Sequence, residues 1–305
     1  MLDLIIFFLS FVLITLVAGN NLSACSGAMI SGRVVSKRFG ILLTVLGYIL
    51  GLALQGQILK GGLYSLLPNP SPLAVSVALF IAVIVFIYSY LKKVPQSLSM
   101  TFSSAILGIS LASGFKTNVM FLASMFSFWI LAPLVSIVLV LFLMRVSNHI
   151  VNKRHVWRTV GRIRTLLIIV SFLTAFTLGA NTMGLLYASL PESVYNLPLA
   201  ITGIIIGSFL LSGRGLRRIS NDIITIRYLN SLNSQFASTL LVEIATLFGI
   251  PLSNTQIFTT SVYGAGLSYK NRIIKKKPAK EIVYFWIVMI AASFVLGYLI
   301  FSAVS

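Results

Sequence analysis

Charge is scarce in this chain. Of its 305 residues only 9% are charged, 58% are hydrophobic, and the mean hydropathy is +1.01. A soluble domain carries about 25% charged residues, so this chain lacks the polar surface to dissolve as a globule. Acid is scarcer still, with five carboxylates against 23 basic side chains. A single cysteine, Cys25, excludes an internal disulfide. The two histidines, His149 and His155, fall in one basic stretch and read as a solvated face. No low-complexity tract or long polar domain interrupts the sequence.

What is present is a series of apolar runs, several of about 17 residues or more, long enough to span a bilayer. They cover 2–17, 40–54, 73–90, 119–144, 166–178, 197–211 and 282–304. The first lacks the basic flank of a secretory signal, carries Asp3 and runs on into polar residues. It reads as a retained membrane helix. The net charge of +18 does not signal nucleic acid, because the basic residues sit in short loops between apolar runs. That placement is the signature of membrane orientation, and anionic lipid headgroups suffice to explain it.

Two short motifs recur in the same order. Ala18-Gly19-Asn20-Asn21 follows one apolar run, and Gly179-Ala180-Asn181-Thr182 follows another, with Asn20 and Asn181 161 residues apart. Pro95-Gln96-Ser97-Leu98-Ser99 is matched by Pro251-Leu252-Ser253-Asn254-Thr255, 156 residues on. Each half therefore holds polar breaks within apolar sequence, the pattern of a repeat-built transporter. The expected fold is an all-α polytopic membrane protein with an inverted-topology repeat. Each half has three net crossings and one re-entrant hairpin, and an odd crossing number turns the second half upside down. The first repeat covers 1–144, a basic cytoplasmic linker 145–164, and the second repeat 165–305. Helix breaks are expected at 19–21 and 179–182, with hairpin tips near 95–99 and 250–255. The second hairpin has arms over 235–249 and 255–267.

With both termini outside the cytoplasm, the inner loops collect all basic residues but Lys60, Lys92, Lys93 and Lys116. This arrangement obeys the positive-inside rule. The Asn motifs would free backbone groups and offer side-chain oxygens to a small cation. Ser97, Ser99, Ser253, Asn254 and Thr255 stand near helix N-termini, where hydroxyls and free N–H groups cradle an anion. Singly, such residues are more often plain caps or interhelical hydrogen bonds. Their recurrence in order carries the functional reading.

These paired motifs resemble the inorganic phosphate transporter family, known as PiT or Pho-4. Its members carry Gly-Ala-Asn-Asp in each half and Pro-Val-Ser-Thr-Thr-His at each hairpin. The resemblance extends to Gly27 through Arg33, to Ser127-Phe128-Trp129 through Pro133, and to Gly213-Arg214-Gly215. It implies a secondary carrier that imports phosphate by alternating access, coupled to sodium ions or protons, with a sulfate-carrying branch as the alternative. A transport-inactive anion sensor is a second alternative. The carry-over is partial. Asn20 and Asn181 match, but the two Asp positions hold Asn21 and Thr182. At the hairpins Pro95, Ser97, Pro251, Ser253 and Thr255 match, while Leu98, Met100, Asn254 and Gln256 depart, and Ser99 replaces a Thr. The anion hydroxyls survive and the cation carboxylates do not.

Cation-coupling candidates are therefore Asn20, Asn21, Asn181, Thr182 and Glu243, the last an acid inside an expected hairpin arm. Lys92 and Lys93 either line the anion path or reach external water. No carboxylate pair or nucleophile with a base stands in the membrane, so an enzyme is not expected. No cofactor and no metal beyond a coupling sodium ion are expected. Partners are phosphate or sulfate and membrane lipids, with a homodimer left open. The location is the cell membrane.

Overall fold

In the computed structural model the chain is described at residues 2–92, 96–150, 156–211, 228–268 and 276–305, without the side chains of 90, 150, 156–157 and 276–282. Every regular element among them is helical. The helices are α1 (Leu2–Ser31), α2 (Lys37–Gln55), α3 (Ile58–Leu66), α4 (Pro72–Lys92), α5 (Leu98–Ala112) and α6 (Val119–Ile150). Then come α7 (Val156–Leu178), a π-helical turn (Gly179–Met183), α8 (Gly184–Ala188), α9 (Asn196–Leu210), α10 (Tyr228–Leu247), α11 (Asn254–Leu267) and α12 (Lys276–Val304).

Six helices are long and apolar enough to cross a membrane: α1, α2, α4, α6, α12 and the α7–α8 unit. This makes the protein a multi-pass membrane protein. The membership differs from the crossings counted in the sequence. At 21 residues α4 exceeds the short arm expected of a hairpin, and at 15 residues α9 falls below membrane length. Burial separates their places. Of the apolar window, 67% is buried in α4 but only 28% in α6 and 17% in α12, so α4 lies inside the bundle and α6 and α12 face outward. Exposed Val119, Met120, Leu131, Leu134 and Phe142 on α6 would meet lipid tails at no cost.

Small residues bring helices close. A Cβ on Gly51 of α2 would stand 1.8 Å from the Phe176 carbonyl oxygen of α7. One on Gly207 of α9 would stand 2.1 Å from the Thr15 carbonyl oxygen of α1. Without a hydrophobic drive between helices in lipid, such close backbone packing is what holds them. The central core runs from Leu13 and Ile14 of α1 through Tyr48, Leu79 and Phe102 to Leu185 and Leu186 of α8.

Polar contacts sort the helix ends into two faces. Arg164 on α7 donates to the Arg33 carbonyl at 3.1 Å, and Tyr228 at the start of α10 donates to the Gly32 carbonyl. Ser147 near the end of α6 donates to Asn233 at 3.2 Å. The other face carries the Lys60–Glu192 ion pair at 3.0 Å and the Asn118-to-Ser65 backbone hydrogen bond at 3.1 Å. Hence α1 ends on the face where α7 begins.

Several boundaries differ from the sequence reading. The helix expected to break at 19–21 does not break: α1 is α-helical throughout Leu2–Ser31. Asn20 donates to the Asn21 side chain at 3.2 Å, and Ser23 and Ser26 bond back to the carbonyls of Asn20 and Leu22. The polar groups satisfy one another, so the helix has no need to open. The second break is a widened π turn, not a gap. The linker at 145–164 is helical at both ends, because α6 reaches Ile150 and α7 starts at Val156. Helix continues past the apolar run where basic side chains reach the interface. The first arm of the second hairpin starts at Tyr228, not 235, its early turns carrying Asn230, Ser231, Asn233 and Ser234 buried among other helices.

Candidate functional site

The two Pro-x-Ser motifs build matching helix starts. Ser97 is the N-cap of α5, extended at φ −100° and ψ 115°, and its hydroxyl accepts the Met100 N–H at 3.3 Å. Ser253 is the N-cap of α11 at φ −82° and ψ 100°, and accepts the Gln256 N–H at 3.2 Å. Capping uses each hydroxyl only as an acceptor, so its own hydrogen stays free to donate to an anion. The remaining first-turn N–H groups of each helix lack an intrahelical partner, and both positive helix ends add to the field.

The two starts meet. The Thr255 hydroxyl of α11 donates to the main-chain carbonyl of Gln96, just before α5, at 3.5 Å. Ser97, Ser99, Ser253 and Asn254 are all at most 5% exposed. Four of the five expected anion residues thus lie buried, and the fifth, Thr255, lies at the junction itself.

The second tip is held from three sides. Its turn closes a glycine C-cap: Gly249 N–H bonds Thr246 O at 2.9 Å and Ile250 N–H bonds Ala245 O at 2.9 Å. Gly249 sits at φ +67°, a left-handed conformation that suits glycine. Asn181 then clamps the turn. Its amide nitrogen donates to Thr246 Oγ1 at 2.9 Å and to the Ile250 carbonyl at 3.0 Å, and its oxygen accepts the Leu252 N–H at 3.1 Å. Trp129 of α6 donates its indole N–H to the Pro251 carbonyl at 2.9 Å. Asn181 is thereby committed to positioning the tip, with one lone pair left for any cation.

Asn181 ends a polar ladder between α7 and α10. Its rungs are Ser171–Gln235 at 3.2 Å, Thr174–Thr239 at 2.7 Å, Thr177–Glu243 at 2.9 Å and Asn181–Thr246 at 2.9 Å. Glu243 therefore stands half-buried one rung from the tip, accepting the Thr177 hydroxyl. Gln235 also donates to the Ala24 and Cys25 carbonyls at 2.8 and 2.9 Å, tying α10 to α1. Asn20 and Asn21 lie on α1 one turn before that contact, bonded to each other. Thr182 is buried in the π turn at 4% exposure.

Sequence reasoning missed the ladder, the indole clamp and the two glutamines beside the caps. The ladder had a signal: polar residues recur at helical spacing in 171–181 and again in 235–246. Lys92 is exposed, its ammonium 5.8 Å from the Tyr88 ring centre, so it lies along α4 rather than between the tips. Lys93, Pro95, Lys153, Arg154, His155, Gly213-Arg214-Gly215, Arg217, Arg218, Asp222, Arg227, Lys270, Arg272 and Lys275 lie outside the described residues, as do the side chains of Lys276, Lys277, Lys280 and Glu281.

Comparison with known proteins places this geometry. The family model of the phosphate transporter family matches residues 158–297. A Methanocaldococcus jannaschii protein named as a phosphate permease is 25% identical over 96% of this chain and 94% of its own length. A Bacillus subtilis protein named as a low-affinity inorganic phosphate transporter is 23% identical over 72% of this chain and 71% of its own. A solved structure of a sodium-dependent phosphate transporter shares the fold, with a TM-score of 0.86 over 99% of this chain and 98% of that one, at 14% identity. In sequence motif and curated relatives the chain is similar to the phosphate transporter family, and it shares the fold of that solved structure.

Proposed function

We propose that the chain imports inorganic phosphate by alternating access, the anion being held between the first turns of α5 and α11. The observation that carries this reading is the meeting of two serine-capped helix starts, joined by the Thr255–Gln96 contact in a buried interior. Ser97, Ser99, Ser253, Asn254 and Thr255 supply hydroxyl, amide and backbone donors without a fixed cation. Sulfate shares the tetrahedral shape and is the competing substrate.

The proposal takes the two halves as an inverted repeat that rocks about this site. Three pairs of glycine contacts support it. Gly47 and Gly51 of α2 pack on α7, as Gly203 and Gly207 of α9 pack on α1. Gly108 of α5 packs on Phe294 of α12, as Gly264 of α11 packs on Ile137 of α6. Each pair is 156 residues apart, the spacing of the two hairpin motifs. The opposed directions of α1 and α7 agree with inversion. The proposal takes basic Arg33, Lys37, Arg38, Arg145, Arg158, Arg162 and Arg164 as one cytoplasmic face with both termini outside, a reading supported by the Arg164–Arg33 contact and by the positive-inside rule.

Coupling to a cation is part of the proposal. Among the described residues no cluster of His, Cys, Asp and Glu forms a metal site. A sodium ion would rest on neutral oxygens of Asn20, Asn21 and Thr182, whereas a proton would ride on Glu243. Binding of phosphate to the purified protein tests the site. Ser97→Ala and Ser253→Ala should each weaken binding about tenfold, one charge-assisted hydrogen bond apiece, and Thr255→Ala should weaken it by removing the contact that joins the two helix starts. Unchanged affinity in all three variants removes the anion from this place.

A further inference from the structure

An amide oxygen only accepts hydrogen bonds, whereas a hydroxyl can turn its hydrogen toward a partner. Among the described residues, buried side-chain amide oxygens without a hydrogen-bond partner stand on Gln55, Gln96, Asn196 and Gln256. Gln55 ends α2 and Asn196 opens α9, both toward the face of the Lys60–Glu192 pair. The other two flank the helix starts described above.

Gln96 immediately precedes the Ser97 cap and is 3% exposed. Its amide nitrogen donates to the Thr101 hydroxyl in the first turn of α5, and its main-chain oxygen accepts the Thr255 hydroxyl. Side chain and backbone are thus both anchored while Oε1 stays unbonded. Gln256 follows Thr255 in the first turn of α11, its backbone N–H fixed on the Ser253 hydroxyl at 3.2 Å, and its Oε1 is likewise unbonded. The caps and free N–H groups around them are donors. A fully deprotonated tetrahedral anion, whose oxygens only accept, has nothing to offer these two oxygens. A protonated one has a hydroxyl.

We infer that Gln96 and Gln256 set specificity by accepting the P–O–H hydrogens of protonated phosphate, so that the site rejects sulfate. This rests on the reading that the anion binds between α5 and α11. Phosphate near neutral pH keeps one or two hydrogens on its oxygens, and sulfate keeps none. Against sulfate each amide lone pair faces an oxygen lone pair and stays unpaired in a buried place. A site built to bond a substrate hydroxyl discriminates strongly against the analogue lacking it. The neutral amide also takes the hydrogen without adding the negative charge that a carboxylate would hold against the anion.

Competition binding of labelled phosphate by unlabelled phosphate and sulfate tests this in wild type, Gln96→Leu, Gln256→Leu and the conservative Gln96→Glu. Wild type should prefer phosphate by about tenfold or more. Either Leu variant should lose most of that preference, phosphate weakening while sulfate holds or improves. Gln96→Glu keeps an acceptor and should keep the preference, although both anions bind more weakly. An unchanged phosphate-to-sulfate ratio in both Leu variants overturns the inference, as does a wild type that favours sulfate or an equal loss of both anions in both Leu variants. Ser97→Ala and Ser253→Ala separate the two readings. If they weaken both anions while the glutamine variants leave the ratio alone, the site stands and the inference falls. If they weaken neither, the site itself falls.

Discussion

The side-chain oxygen of Asn181 accepts the Leu252 N–H at 3.1 Å while its amide nitrogen donates to the Ile250 carbonyl at 3.0 Å. One amide in the π turn after α7 thus fixes the turn that aims Ser253 and Thr255. Asn181→Leu removes these bonds and leaves buried groups unpaired, at a cost of about 2–4 kcal/mol. Phosphate binding should weaken although no anion contact is deleted. Thermal unfolding with hydrogen exchange at Leu252 checks it; full protection at Leu252 in the variant would mean that Asn181 does not hold the turn.

Gly249 adopts φ +67°, and a Cβ there would stand 3.2 Å from the Ile58 carbonyl oxygen of α3. Gly249→Ala should cost about 1–2 kcal/mol through left-handed strain alone. A melting temperature equal to wild type would show that the turn relaxes without penalty.

Glu243 accepts the Thr177 hydroxyl at 2.9 Å on the rung next to Asn181. Glu243→Gln keeps an acceptor for Thr177 and removes the titratable charge, so the fold should survive. Uptake driven by a proton gradient should fall about tenfold or more, with downhill exchange of phosphate retained. Gradient-driven uptake at the wild-type rate would free Glu243 from any coupling role.

Lys60 and Glu192 pair at 3.0 Å across the face opposite the basic loops, with Glu192 91% exposed. Pairing lowers the Glu192 carboxyl and raises the Lys60 ammonium from their ordinary values, the mutual hydrogen bond being the main cause. The contribution of the pair is therefore present at neutral pH. It fades as pH falls through the lowered Glu192 value or rises through the raised Lys60 value. Because the pair is solvated, Glu192→Gln should leave the melting temperature at pH 7 unmoved. A clear drop that vanishes in high salt would show a stronger link between α3 and the segment before α9.

The recurring motifs make the helix starts legible in the sequence. Ser97 and Ser253 act through local capping, which spacing to an adjacent Pro reveals. The unbroken α1 was not legible, because Asn20 and Asn21 satisfy each other and polar residues alone cannot say whether a helix opens. Trp129 stood out only as part of a shared motif. Its bond to Pro251 joins residues 122 apart in sequence, which no local pattern encodes. Gln256 looked like a departure from a signature, and Gln96 carried no signal at all. Their importance lies in what they fail to bond, visible only once neighbouring donors are placed.

The central claim is gradient-driven phosphate import through the site between α5 and α11. Uptake of labelled phosphate and labelled sulfate into proteoliposomes, with a sodium gradient, a proton gradient or neither, tests it most directly when wild type is run beside the Ser97→Ala, Ser253→Ala double variant. The account predicts phosphate accumulation that needs one of the gradients, far exceeds sulfate and disappears in the double variant. Folded wild-type protein that accumulates neither anion under any gradient, or a double variant that transports like wild type, would contradict it.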